Sequence, residues 1–251
     1  MPFRFATRTS TQASNRSTFE LPVDLTTIEL IAIAVAPALA IAYGVALADA
    51  HEREPLHMLV GIFLVGSLAT LVAGGLQLWL AGTNLHRMSG FVGALWRGVV
   101  EAALVEELAK FLFLMAFAYP HRHFSEPFDG ITYSVMIGMG FASAENLIFV
   151  TSDHGTVPGA LLRMFTTVPA HAVFAVLMGY FVGLAKFRHS NATLHLTGLI
   201  VAICFHGFYD FCLVQQSYQF LTVGSVVALV VGFFLARHAI RLHQQISPYR
   251  R

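Results

Sequence analysis

Residues 58–81 read MLVGIFLVGSLATLVAGGLQLWLA, an unbroken run without one acid or base. A bilayer core ~30 Å thick is crossed by about 20 mostly apolar helical residues, so this stretch reads as a transmembrane helix. The rest of the chain repeats the signal. Hydrophobic residues make up 56% of the 251 and charged residues 12%, about half the ~25% of soluble domains. An ordinary soluble domain, a disordered chain and a nucleic-acid binder fit this composition poorly, and a formal charge of +1 offers no basic field to a polyanion. The expected fold class is all-α, a polytopic membrane helix bundle.

Working outward, seven spans are expected: Thr27 to Ala48, Met58 to Ala81, Gly98 to Pro120, Ile131 to Thr151, Ala160 to Lys186, Leu194 to Gln215 and Leu221 to Ala239. Short breaks rich in charge and turn residues, such as His51 to Pro55 and His121 to Pro127, make successive helices antiparallel neighbours. Residues 89–97 read as an interfacial helix leading into span three. Residues 1–24 are expected to form a polar tail, 25–243 a single transmembrane domain and 244–251 a short basic tail. With the amino terminus outside, eight basic residues fall inside and six opposite, too even a split to orient the chain. Cys204 and Cys212 lie eight residues apart in one apolar segment and read as packing residues, not a disulfide framework.

Spans three to six carry what a bilayer should exclude: Glu106, Glu107 and Lys110, then Glu145 and Asn146, then His171, then His206 and Asp210. Spans one, two and seven carry almost nothing comparable, and Glu101 lies near enough to the start of span three to reach the interface. Each charge at a helix centre costs about 2.5–3.5 kcal/mol facing lipid, so these groups must face one another or water. At ~1.5 Å per residue and with alternating helix direction, the four carboxylates and two histidines fall roughly 8–17 Å below one face. Glu106/Lys110 and His206/Asp210 are i,i+4 pairs, so each shares a helix face and Glu107 is left unpaired. Four carboxylates against Lys110 leave −3, which protons or a divalent cation must offset. Two imidazoles beside carboxylates suit Zn²⁺, although His-Glu-x-x-His is absent. The small residues around Gly138 and Gly140, and the His171, Ala175, Gly179, Gly183 stripe, read as packing features. Pro169 removes a helix hydrogen bond and predicts a kink.

The ordered elements Glu106-Glu107-Leu108-Ala109-Lys110, Phe141-Ala142-Ser143-Ala144-Glu145-Asn146, His171 with Gly179, and His206-Gly207-Phe208-Tyr209-Asp210 resemble the PrsW family of intramembrane proteases. That family is a branch of the group containing the CAAX prenyl proteases and bacteriocin-processing enzymes. The resemblance covers residues 98–215. It implies an endopeptidase of the bacterial plasma membrane acting, in the lipid bilayer, on a membrane-anchored protein such as an anti-sigma factor. The broader group carries an Arg four residues after its second Glu and a His where Glu145 stands. Here Lys110 follows at three and position 145 is acidic.

On this reading Glu106 or Glu107 is the base that activates water, Lys110 neutralises the other glutamate, and Asn146 can help His206 polarise the carbonyl. The expected Zn²⁺ ligands are Glu145, His171 and His206, with Asp210 as a further ligand or orienting group. Two competing readings are a proton- or cation-coupled transporter, for which buried carboxylates are normal, and a haem protein with His171 and His206 as axial ligands. The remaining histidines, among them His86 and His243, fall at expected helix ends or loops and read as solvated.

Overall fold

The computed structural model describes residues 27–49, 52–152, 156–188, 192–215 and 219–249. The expected polar tail at residues 1–24 lies outside the described residues. In chain order the helices are α1 (Thr27–Ala48), α2 (Leu56–Ala81), α3 (Gly90–Leu95), α4 (Val105–Phe113), α5 (Pro127–Thr151), α6 (Val157–Phe165), α7 (Thr167–Phe187), α8 (Ala192–Val214) and α9 (Thr222–Ile246). Two of these joins are continuous enough to count as single rods. Wide π-helical turns over Trp96–Leu104 link α3 to α4, and a second wide segment, Leu114–Ala118, extends α4. α6 and α7 make one span with a break at Thr166.

Among the described residues all regular structure is helical, and six spans are long and apolar enough to cross a membrane. The rod over residues 90–118 is the seventh, and it carries the dense set of charges. It starts at Gly90, and the expected interfacial helix runs into it without a break. The kink expected of Pro169 takes the form of a break in the fifth span, because Pro169 has no N–H for the Phe165 carbonyl. Thr166 leaves helical geometry at φ −120°, ψ −65°, and winding resumes with the Ala170 amide donating to Thr166 O at 3.0 Å.

The core of the bundle is α5 with α7. In the most apolar windows of α5 and of the α6–α7 span, 61% and 78% of residues are buried, against 17% in α1. α5 starts from a capping box in which Asp129 Oδ2 accepts the Glu126 amide at 2.8 Å, with Pro127 in the first helical turn. Its neighbours approach through glycines. A Cβ on Gly179 would lie 2.3 Å from Gly130 O, and one on Gly140 would lie 1.9 Å from Phe63 O. The small-residue stripes thus serve helix contact, as expected of them.

His243 departs from expectation. α9 runs on to Ile246, which carries this side chain into the protein, fully buried and stacked on Tyr180 with ring centroids 4.5 Å apart.

Candidate active site

One turn of α4 presents Glu106, Glu107 and Lys110 to the interior, all three buried. Lys110 Nζ donates to Glu107 Oε1 at 2.8 Å and lies 3.5 Å from Glu106 Oε2. Glu107 is therefore the closer partner of Lys110, not the unpaired glutamate expected. The i,i+3 spacing shares a helix face as well as i,i+4 does, and His206 closes on Glu107 from α8, its Nδ1 donating to the same Oε1 at 2.8 Å.

That hydrogen bond fixes the other side of the His206 ring. With the Nδ1 proton committed to Glu107, Nε2 faces Asp210 Oδ2 at 3.3 Å and Glu106 Oε2 at 4.0 Å. Two carboxylate oxygens around a ring nitrogen need a proton or a metal cation between them. Glu106 Oε2 itself is buried without a hydrogen-bond partner.

His171, at the start of α7, accepts from Lys110 Nζ at Nδ1 (3.0 Å), so its Nε2 proton donates to Glu145 Oε2 at 3.0 Å. Glu145 is held in turn by Arg163 of α6, whose Nη2 donates to Glu145 Oε1 at 2.6 Å and whose Nε donates to Asn146 Oδ1 at 2.8 Å. Asn146 spends its remaining donor on Ala34 O of α1 at 3.4 Å. It is thereby engaged in holding α1 and Arg163.

Seven of the eight residues singled out from sequence thus form one hydrogen-bonded and ion-paired chain across four rods, with Asn146 attached at its edge. The donor atoms that lie within 4.8 Å of one another come from Glu106, His171 and His206. Of the expected ligands, His171 and His206 fall in this group, while Glu145 and Asp210 each pair with one of its histidines. Mixed nitrogen and oxygen donors are the ligand types of Zn²⁺, and the Glu106 oxygen, which makes no hydrogen bond, fits such an ion. Arg163 also revises the charge count: four carboxylates against Lys110 and Arg163 leave −2, the charge one divalent cation would offset. The rings of His171 and His206 stand edge-on with centroids 5.3 Å apart, which leaves no space for a haem plane between them.

Three contributors were not singled out from sequence. Arg163 reads as a loop-side charge, although it lies inside the apolar run of span five. Gln77, from a span that looked featureless, donates to Glu106 Oε1 at 3.0 Å and to the Glu101 carbonyl at 3.2 Å. Glu101, expected at the interface, is buried and accepts from Trp96 Nε1 at 2.6 Å and from His86 Nδ1 at 2.7 Å. A cleft of about 680 Å³ between α2, the rod over residues 90–118 and α5 leads to this cluster, reaching Glu106 and Glu145.

Residues 54–236 match the family described as PrsW family intramembrane metalloprotease. Protease PrsW of Bacillus subtilis is 35% identical over 190 residues, covering 75% of this chain and 84% of that one. Protease PrsW of Geobacillus kaustophilus is 33% identical over 189 residues, 75% and 81% of the two chains. Protease PrsW of Clostridioides difficile is 29% identical over 209 residues, 81% and 87%. No solved structure matches the chain significantly. These relatives do not favour a transporter or a haem protein. With its apolar spans and its charged cluster enclosed among them, this integral membrane protein belongs to the PrsW family of intramembrane proteases.

Proposed function

We propose that the chain hydrolyses peptide bonds of membrane-anchored proteins with a water activated at Glu106. The observation that carries this is the convergence of acids, imidazoles and cations from four separate rods at the end of one cleft. Glu106 is the member of the glutamate pair that lines that cleft, while Glu107 is enclosed. In this reading Glu106 takes the proton of the attacking water and returns it to the leaving amine. Glu107 orients His206 through Nδ1, and Lys110 balances Glu107 while holding His171. Arg163 and His171 fix Glu145 at the cleft wall.

Glu106, His171 and His206 would hold a divalent cation, Zn²⁺ by donor type, with Lys110 giving up its hydrogen bond to His171 Nδ1. When bound, such an ion supplies Lewis acidity and a more acidic water. The test is cleavage of a panel of single-span reporters in membranes, combined with metal analysis of the purified protein and a chelator arm. Glu106→Gln and Glu107→Gln should each lose most activity while unfolding normally. Full activity of Glu106→Gln sinks the assignment, and undiminished cleavage by protein shown to be metal-free removes the ion from it.

A further inference from the structure

The wall that α2 contributes to the cleft contains Gly74 and Gly75, and these two differ from the packing glycines of the bundle. A Cβ on Gly66, Gly130, Gly140, Gly179 or Gly183 would strike a neighbouring backbone within 2.6 Å, whereas one on Gly74 or Gly75 would meet nothing within 4 Å. Their missing side chains bring no helices together. They leave room in the cleft that Glu106 also lines.

The rim is apolar and open to the bilayer: Leu71 and Leu78 on α2 and Ile148 on α5 are all more than half exposed. The floor is polar, with Gln77, Glu106 and Glu145, and the buried Glu106 Oε2 lacks a hydrogen-bond partner. An acyl chain can satisfy none of these groups. An intact helix fits badly too, since a cylinder of ~10–12 Å diameter takes roughly 400–600 Å³ per turn. The cleft therefore holds little more than one turn, with every carbonyl already bonded within the helix. An unwound peptide has the reverse needs. Its free N–H and C=O groups require partners at membrane depth, and its scissile carbonyl is open to attack.

We infer that the substrate enters sideways from the bilayer, between α2 and α5, as an extended segment of a membrane-anchored polypeptide whose backbone lies against Gly74 and Gly75. This rests on the proteolytic reading above.

The experiment uses the full chain in proteoliposomes with a panel of single-span reporters, new amino termini being read by mass spectrometry. Gly74→Leu and Gly75→Leu should cut kcat/KM at least tenfold. Gly61→Leu, at a position on α2 equally open but away from the cleft, should stay within twofold. In a second measurement, Gly75→Cys is placed in Glu106→Gln with Cys204 and Cys212 replaced, and cross-linked to reporters bearing one cysteine each. Cross-linking at every second reporter position marks a strand and should be absent with Gly61→Cys.

Cross-linking at every third or fourth position, wild-type activity of Gly74→Leu and Gly75→Leu, or equal loss in Gly61→Leu overturns the inference alone. A wild type that generates no terminus absent from Glu106→Gln overturns the proteolytic reading, and the inference with it.

Discussion

α5 carries one member of each of two buried acidic clusters. Asp129 sits in its first turn and Glu145 sixteen residues later, ~24 Å along the axis. Each cluster contains three donor atoms within 4.8 Å of one another, Asp49, Glu126 and Asp129 in one and Glu106, His171 and His206 in the other. Their partners differ. At the Asp129 end, the carboxylate accepts backbone amides of Ser125 and Glu126, Ser125 Oγ donates to Glu52 Oε2 at 2.7 Å, and the Tyr133 hydroxyl donates to Glu54. Those bonds cap α5 and tie the α1–α2 connection to it. At the Glu145 end most bonds run from lysine, histidine or arginine nitrogens to carboxylates, and at the two imidazoles a proton can reside on either side. Burial is alike, and the chemistry is decided by whether the partner can exchange a proton.

The sharpest way to break this contrast is to neutralise one carboxylate at each end. Glu106→Gln should lower the cleavage rate by about 10²–10⁴-fold with little change in melting temperature. Asp129→Asn should do the opposite, keeping kcat within twofold and costing about 0.5–2 kcal/mol through the weakened cap; thermal unfolding beside reporter cleavage reads both. Next in size is Lys110→Met, which strands Glu107 in the interior and should destabilise by about 3–5 kcal/mol. The double variant Glu107→Gln/Lys110→Met should regain much of that stability and none of the activity, and a double variant as unstable as the single would refute the pairing. Arg163→Ala should slow cleavage by about 10–100-fold, the usual cost of removing a group that orients a reactive one, while Arg163→Lys restores part of it.

The smallest effect belongs to the connection. Burial holds the Glu54 carboxyl above the usual carboxylate range, against the lowering pull of its Tyr133 hydrogen bond. The folded state therefore binds that proton more tightly than the unfolded one. Its stabilisation is complete below the unfolded pKa, about 4.3, and is lost as pH rises through the higher folded value. Glu54→Gln should flatten the fall in melting temperature between pH 4 and pH 7, and an unchanged slope would count against the assignment.

The positions of the spans were legible because an uncharged apolar run of bilayer length has almost no place in a water-soluble core. The four-rod convergence was legible because charge in such runs has to find company. Three features escaped for separate physical reasons. Depth arithmetic assumed uniform 3.6-residue winding, so the wide turns at Trp96–Leu104, and the enclosure of Glu101 beside them, left no trace in the pattern. Lys110 can face either of two adjacent glutamates, and only the approach of α8 chooses Glu107. Arg163 and Gln77 are single polar residues in apolar runs, which spacing alone cannot separate from a loop charge or a tolerated amide.

The wide turns also make the rod intolerant of changes in length. Removing any one of residues 102–104 would turn everything upstream, Glu101 included, relative to α4, as when one tooth is filed from a gear. Glu101 and Glu106 could then no longer share the Gln77 amide. Substitutions along this stretch change one contact at a time, whereas a single deletion would disengage the two halves of the rod together.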